Sequence, residues 1–262
     1  MEVIRFTLEG RSGFFKKPDV NTYLYFTYGN IHKVALLGIF GAILGYRGYN
    51  QMSFSEKYKK DFKDLPGNNE GYYPEFYEKL NHIKVGIKPQ EININKKVQV
   101  FNNTVGYASK EKGGNLIVKE QWLENPSWDI YIAIEEEESR KICKALIDST
   151  FVYIPYLGKN DHFADIKNAE VVSNIKETDF IHNIDSLFIK EDFQITENDH
   201  FEQLDDLEED ITIFKYEEML PFSLDKVTNK YELKSFIYTN ARVIKTGTTP
   251  VYNVCGKEIV FI

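Results

Sequence analysis

Three glycines lie within a strongly apolar segment, residues 34–46, that otherwise has the composition of a buried helix. Gly38, Gly41 and Gly45 follow one another at spacings of three and four residues, which places them on one side of the helix predicted over residues 32–46. Each glycine inside a helix costs about 1 kcal/mol relative to alanine. We therefore expect a close approach to this helix, by a strand or by an RNA phosphate.

The residues before this helix combine positive charge with aromatic rings. Lys16 and Lys17 can pair with phosphates, and the rings beside them offer surfaces on which bases stack. This combination binds single-stranded nucleic acid, at about 1–3 kcal/mol for each stacked base. The alternative is that the rings belong to the core and the lysines are ordinary solvated charges. The rings concerned are Phe14, Phe15, Tyr23 and Tyr25.

The predicted start of the helix carries three polar side chains. Asn30 is a suitable N-cap, and the free amides of the first turn, together with Lys33, would bind an anion. His32 can contact a phosphate or ribose, act as a general acid or base, or simply cap and pack the helix. No Gly-Lys-Ser/Thr sequence follows the glycines, so this segment is not a P-loop.

A second polar segment, PYLGKNDHFADI, covers residues 155–166. A predicted strand ends at residue 157, and Gly158 turns the chain. Lys159, Asn160 and His162 would then be presented in a loop, where they can contact a nucleic-acid backbone or a base edge. An ordinary turn is the equal alternative. Metal-free RNA cleavage is a further hypothesis. The spacing of these residues does not establish the arrangement of base, acid and cation that this reaction needs.

The apolar periodicities predict strands and helices in the order β-α-β-β-α-β. This α+β order is that of ferredoxin-like folds, which RNA-recognition modules share. KEKGG at 110–114 predicts the basic tip of a hairpin. The buried stripe of the second helix is expected to be Ile142, Ala145, Leu146 and Ile147. The predicted core elements are strand 1–10, helix 32–46, strand or hairpin 87–107 with 115–122, strand 128–134, helix 135–150 and strand 151–157.

The remainder of the chain is predicted to be mostly β. Residues 191–210 contain ten acidic residues and no Lys or Arg, which favours a mobile surface loop. We expect a first domain over 1–165 and a smaller β-rich region over 166–262. The candidate strands of this region are 169–175, 186–190, 211–217, 231–238 and 251–262.

Charge is distributed unevenly. Residues 1–134 contain 18 Lys and Arg against 14 Asp and Glu, whereas residues 135–262 contain 14 against 26. Phosphate binding needs a local positive surface, so a net charge of −8 does not exclude RNA. The acidic half is either a solvated face or a surface for a basic partner.

Several classes of protein are disfavoured by the sequence. Two distant cysteines, Cys143 and Cys255, make neither a zinc knuckle nor a disulfide framework, and they indicate a reducing cytoplasm. No signal-peptide pattern occurs at the N-terminus, and the apolar run at 34–46 is too short to span a bilayer. We expect no membrane association, no metal, no cofactor and no arranged catalytic residues.

Two segments carry a resemblance to a known family: RFTLEGRSGFFKKPDVNTYLYFTYGNIHKVALLGIFGAILGYRGY at 5–49 and PYLGKNDHFADI at 155–166. With the closing TPVYNVCGKEIVFI, they resemble the CRISPR-associated Cascade subunits of the fifth Cas family, in its type I-B branch. That family belongs to the RAMP superfamily. The resemblance implies a ferredoxin-like RAMP domain with a protruding thumb hairpin, which maps to about 88–122.

The resemblance also implies a function in antiviral defence. Such subunits cap the 5′ handle of the guide crRNA, contact the large and backbone subunits of the surveillance complex, and meet target DNA only through that complex. The thumb residues concerned are Lys110, Lys112, Gly113 and Gly114. The residues implied to lie near the handle are Lys16, Lys17, Asn21, Tyr23, His32, Lys33, Gly38, Gly41, Gly158, Lys159, Asn160 and His162.

One branch of this family cuts the repeat RNA itself. Type I-B systems usually leave that reaction to a separate endoribonuclease, and this chain shows no obvious Tyr–Lys–His cluster. A non-catalytic RNA-binding subunit is therefore the favoured hypothesis. The alternatives are a metal-independent endoribonuclease that processes repeat RNA and a pure protein-interaction scaffold.

Overall fold

The computed structural model describes residues 1–19, 23–52, 72–102, 110, 117–178, 183–196 and 212–262. The helices of this part are α1 (Lys33–Leu44), α2 (Tyr49–Met52), α3 (Glu75–Leu80) and α4 (Glu137–Ile147). Its strands are β1 (Val3–Glu9), β2 (Ser12–Gly13), β3 (Val85–Pro89), β4 (Lys96–Asn102), β5 (Ile117–Glu124), β6 (Ser127–Ala133), β7 (Asp165–Val172), β8 (Lys176–Glu177), β9 (Phe188–Ile189), β10 (Phe193–Ile195), β11 (Lys215–Leu224), β12 (Tyr231–Thr239), β13 (Val243–Lys245), β14 (Val251–Val254) and β15 (Lys257–Val260).

The central sheet contains β3, β6, β1 and β7 in that spatial order, and every neighbouring pair is antiparallel. α1 follows β1, and α4 follows β6. Ile4, Phe6 and Leu8 alternate along β1 on the face that packs into the main core with α1. The α+β class predicted from the sequence is confirmed.

The strand predicted over 151–157 is wrong. Apart from an isolated bridge at Tyr156, this segment forms no strand. The N–H groups of Val152 and Tyr153 instead donate to the carbonyls of Ile43 and Ala42, at 3.0 and 3.2 Å. The last carbonyls of a helix lack the usual partners one turn further on, and this segment supplies a donor to two of them in α1. The carbonyl of Ala42 also accepts from the N–H of Gly45, at 3.1 Å. The fourth strand of the sheet is β7 instead. Its sequence, DIKNAEVV, is largely polar, so the alternation of apolar residues that predicts a strand is weak there.

α1 is apolar around most of its circumference because it packs against the sheet, α3, α4 and β11. A Cβ on Gly41 would lie 2.5 Å from the Cβ of Phe76. A close approach to the helix therefore exists, and it is made by a side chain of α3. Gly45 ends the helix at φ 77°, in the left-handed region that favours glycine.

α4 begins with a capping box in which Glu136 and Ser139 exchange hydrogen bonds with each other's backbone. Ile142, Ala145 and Leu146 are buried as predicted. Ile147 is 48% exposed, so its inclusion in the buried stripe is wrong. The three buried residues already place one face of α4 against the core.

β4 and β5 form the predicted hairpin, with Lys96 opposite Leu123 and Asn102 opposite Ile117. The hairpin starts later than residue 88, because Val85–Pro89 pairs with β6 in the central sheet. β2 extends the hairpin into a three-stranded sheet. At the predicted tip, Lys110 is exposed, whereas Lys112, Gly113 and Gly114 lie outside the described residues.

The C-terminal region is β-rich, and β11 with β12 forms its longest hairpin. Residues 190–195 contain a 3₁₀ turn and β10, which pairs with β13, so this part of the predicted acidic loop is ordered secondary structure. Residues 197–211 lie outside the described part. The predicted boundary at 165 falls at the first residue of β7. The main core contains residues of both halves, and the two-domain division remains a prediction.

β14 and β15 form a C-terminal hairpin that covers part of the second face of the central sheet. Ile259 of this hairpin packs with Val3 and Tyr131 in a smaller apolar cluster. Among the described helices, none has the length and apolarity needed to cross a membrane.

Candidate nucleic-acid interface

The two polar segments picked out from the sequence lie side by side. The N–H of Phe14 donates to the carbonyl of Leu157 at 3.0 Å. Gly158 turns the chain at φ 89°, and a Cβ there would collide with the carbonyl of Phe14. Glycine is therefore required at this position by both conformation and space.

Lys159 connects this turn to the hairpin. Its Nζ lies 3.1 and 3.0 Å from the two carboxylate oxygens of Glu120 in β5. The Nε1 of Trp122 also donates to Glu120, at 2.8 Å. Glu120 is buried, so these bonds compensate a carboxylate that would otherwise be costly to remove from water. The predicted loop residue Lys159 is thus a structural link as well as a surface cation.

His162 lies in the predicted loop, but its side chain is buried and is not presented to a ligand as the sequence suggested. Only 1% of its surface is exposed, and its Nδ1 lies 2.7 Å from the Oγ of Ser12. Its ring meets the Trp122 ring edge-on at 4.5 Å. Burial, and secondarily the charge of Lys159, lower the pKa of His162. This histidine packs the turn against the hairpin and does not reach a ligand on the surface.

The basic aromatic loop lies along β5. The backbone N–H of Tyr25 donates to the carbonyl of Lys119 at 2.9 Å, and the backbone N–H of Gln121 donates to the carbonyl of Tyr25 at 2.8 Å. Lys16 is exposed, and its Nζ lies 3.9 Å from the centre of the Tyr25 ring. Tyr23 is 83% exposed. The bridge pairs Tyr25 with Glu120, so the side chains of Lys16 and Tyr25 lie on the Glu120 face of β5, and the exposed Lys119 lies on the opposite face.

Other residues predicted in this loop have structural positions. Phe14 and Phe15 are buried, so the core interpretation is correct for these two rings. Lys17 forms an ion pair of 2.6 Å with Glu218, which reduces its availability for phosphate. Asn21 lies outside the described residues.

The start of α1 is closed rather than open to an anion. His32, not Asn30, is the N-cap, and its Nδ1 accepts a hydrogen bond from Ala35 at 3.2 Å. Asn30 instead accepts a bond from Trp128 at 2.9 Å. Burial lowers the pKa of His32 to about 3 and that of Lys33 to about 8. Because both side chains are buried, the predicted anion site at the helix start is not formed.

Among the described residues, a groove runs along one side of α1. Its volume is about 1180 Å³. Gly38 lies in one wall, where a Cβ would meet no atom within 4 Å. The residues from α1 and the chain after it are Val34, Ala35, Gly38, Ile39, Ala42, Tyr46, Gly48, Tyr49 and Asn50. The facing residues include Val152, Tyr153, Ile154, Tyr156, Gly158, Lys159, Asn160 and Phe163.

The open face of the central sheet does not provide a stacking platform. RNA-recognition modules place exposed aromatic residues on that face. Here Arg5 pairs with Glu170 at 2.7 Å, and Thr7 donates to Asp129 at 3.2 Å. The aromatic Tyr131 is fully buried beneath the C-terminal hairpin. Along β1 and β6, this face of the sheet therefore lacks the exposed rings that such modules use.

Within the described ranges, no three His, Cys, Asp or Glu side chains are grouped to hold a metal ion. Of the histidines in these ranges, His32 and His162 are buried, and His82 pairs with Glu136 at 2.8 Å. A general acid or base must reach the proton that it transfers. None of these three side chains has the position of a free catalytic group.

The sequence did not single out four residues that shape this region. Lys119, Glu120 and Trp122 lie on β5, and Tyr231 lies on β12 beside His32. For the first three, the sequence signal that could have found them was the alternation of side chains between the two faces of β5. Lys119 falls on the outward face, and Glu120 and Trp122 fall on the inward face. No sequence pattern places Tyr231 there, because its strand is remote in the chain.

No family model and no curated protein matches this chain. Similar solved structures include a chain of a "CRISPR RNA-guided surveillance complex", with 14% identity, a TM-score of 0.48 and coverage of 93% of this chain and 91% of that one. A CRISPR protein from Archaeoglobus fulgidus has 10% identity, a TM-score of 0.46 and coverage of 99% and 98%. A chain of a type III-B Cmr-beta complex bound to cognate target RNA has 12% identity, a TM-score of 0.43 and coverage of 93% and 86%. Because these TM-scores are below 0.5, the function proposed next rests on the residues of this chain.

Proposed function

We propose that this chain is a non-catalytic, RNA-binding subunit of a type I CRISPR surveillance complex. In that complex it holds the 5′ handle of the guide crRNA and contacts the large and backbone subunits. The observation that carries the proposal is the packing of residues 5–49 beside residues 155–166 at the base of a hairpin. These are the two segments on which the sequence resemblance depends, although Lys17 and Leu157 are 140 positions apart in the chain.

The proposed contact area, called the handle surface here, consists of Lys16, Tyr23, Tyr25 and Asn160. Lys16 supplies positive charge for phosphates, and the tyrosine rings supply stacking surfaces. Lys16, Tyr23 and Asn160 are exposed. Gly158, Lys159 and His162, which the sequence also singled out, fix the turn that carries Asn160.

The fold supports a RAMP-type role. The sheet order β3-β6-β1-β7, with helices after β1 and β6, is that expected of a ferredoxin-like module. We propose that the β4–β5 hairpin is the thumb and that the chain works in the cytoplasm. Target DNA would meet this subunit only through the assembled complex.

The proposal is tested with labelled repeat RNA transcribed from the source genome. The full chain, alone and co-expressed with the neighbouring complex subunits, is incubated with this RNA in EDTA. We expect salt-sensitive binding and intact RNA. Cleavage that is lost in His162→Ala or His32→Ala would replace the proposal with the endoribonuclease alternative. Absence of RNA binding under both conditions would favour the scaffold alternative.

A further inference from the structure

We infer that the groove beside α1 holds an unpaired base of the RNA, inserted flat against the helix at Gly38. This inference rests on the proposed RNA-binding function and extends it from the handle surface into the groove. The reason to look for a ligand is Gly38 itself. A glycine in the middle of a helix is costly, and packing within the described structure gives no reason for this one.

The neighbouring glycines show what an internal explanation would be. Phe76 fills the space beside Gly41, and the left-handed backbone requires glycine at position 45. At Gly38 the missing side chain leaves the helix backbone open to the groove. A flat group could therefore approach the helix more closely there than at any position that carries a larger side chain.

The facing wall has the chemistry of a base-binding site. Tyr153 and Phe163 are 58% and 66% exposed although both line the groove. Tyr49, at the end of the groove near the C-terminus of α1, is also exposed. Exposed rings around an open slot stack on bases, and every base offers a π face. Tyr49 and Tyr153 fit a base better than an aliphatic chain, because their hydroxyls can also donate to a base edge.

The charges lie where the RNA backbone would enter. Lys16 and Lys159 line the groove near the N-terminus of α1, and Lys16 also belongs to the handle surface. Glu120 is the acidic residue of this end, and Lys159 neutralises it through two hydrogen bonds. Lys16 is then available for the phosphate of the inserted nucleotide. The groove is thus a continuation of the handle surface.

The test measures the affinity of the full chain, within its complex, for fluorescent repeat RNA and for a series with one abasic nucleotide at each position. Loss of one stacked base should weaken binding about tenfold to a hundredfold at one position of the series. Gly38→Leu fills the groove and should weaken binding of intact RNA by the same factor. With the critical abasic RNA, this variant should show no further loss, because base and groove act as one interaction.

Three variants accompany the experiment. Gly38→Ala adds one methyl group at the proposed contact and should weaken binding less than Gly38→Leu does. Ile147→Ala shortens an exposed side chain of α4 outside the groove and should bind as the wild type does. Tyr153→Ala removes an exposed ring without disturbing α1, and it should reproduce the Gly38→Leu result even if leucine affects folding.

The possible outcomes are distinct. Unchanged RNA affinity in Gly38→Leu and Tyr153→Ala would overturn the base-binding role and leave a protein segment as the occupant of the groove. The base-binding role would also be overturned if the loss of affinity caused by each variant added to the loss caused by the abasic nucleotide at every position of the series. Failure of the wild-type complex to bind any RNA would overturn the proposed function together with this inference.

Discussion

Glycine positions that look equivalent in the sequence have different physical roles in the structure. Gly41 makes room for Phe76, Gly45 ends the helix, and Gly38 faces the groove. A glycine pattern alone predicts that something comes close, but it cannot identify the partner. The partner depends on which element the fold places beside each residue.

A pair of substitutions separates these roles. Gly38→Ala should stabilise the protein by about 1 kcal/mol, because alanine is the better helix former and its Cβ meets no atom within 4 Å. Gly41→Ala should destabilise it by about 1–3 kcal/mol, because the new Cβ would lie 2.5 Å from that of Phe76. Chemical denaturation measures both. Equal shifts of the same sign would contradict the assigned surroundings.

His32 provides a second prediction at this scale, a dependence of stability on pH. Burial lowers the pKa of His32 to about 3, so the folded state keeps it neutral while the unfolded chain binds a proton below about pH 6.5. Stability from this group is therefore complete above pH 6.5 and decreases as the pH falls toward 3. The expected loss between pH 7 and pH 5 is about 2 kcal/mol.

His32→Asn tests this prediction, because asparagine can cap α1 without titrating in that range. The difference in unfolding free energy between pH 7 and pH 5 should be about 2 kcal/mol smaller in the variant than in the wild type. His162 has a lowered pKa as well and remains in both proteins, so its contribution cancels. Identical pH profiles would show that His32 is not buried as a neutral group.

At the scale of elements, the hairpin is joined to the rest of the molecule through Glu120 and Lys159. Glu120 points inward from β5, and Lys159 comes from the turn after Gly158. A remote pair of this kind cannot be predicted from one sequence. A loop with basic residues at 158–162 was predicted from the sequence, but the sequence did not reveal that Lys159 is already paired with Glu120.

Removal of Lys159 should be more damaging than removal of the whole pair. Lys159→Ala leaves the buried carboxylate with Trp122 as its remaining side-chain donor, and should cost about 1–3 kcal/mol. The double variant Glu120→Gln/Lys159→Ala should recover part of that loss, since no unpaired charge stays buried. A double-mutant cycle by urea denaturation measures the coupling. Additive effects would argue against a buried ion pair.

Helices and strands with a clear apolar periodicity were predicted correctly, and those without one were not. β1, α1, β6 and α4 have clear periodicity, and the sequence placed them within a few residues of their observed bounds. The apolar run 151–157 was mistaken for a strand because two of its N–H groups donate to carbonyls of α1, and residues 152–154 leave their side chains exposed. β7 was largely missed before residue 169 because its exposed edge is polar. In both cases tertiary contacts decided the outcome.

At the scale of the whole molecule, the order of core elements was predictable and the surface was not. Of the residues expected to contact RNA, Lys16, Tyr23, Gly38 and Asn160 lie on the handle surface or in the groove. His32, Lys33, Gly41 and His162 are buried. Sequence chemistry identifies residues able to bind a phosphate or base, whereas burial determines which of them can be reached. The local excess of positive charge nevertheless remains on the N-terminal half.

The most direct test of the account is a salt titration of RNA affinity with charge-matched variants. Lys16→Glu alters the handle surface, and Lys226→Glu makes the same change of net charge at an exposed position outside it. We predict that the first variant weakens binding of repeat RNA several-fold and lowers the salt slope by about 0.7, for one lost phosphate contact. The second variant should bind as the wild type does. Equal losses in the two variants, or no loss in the first, would contradict an RNA-binding handle surface.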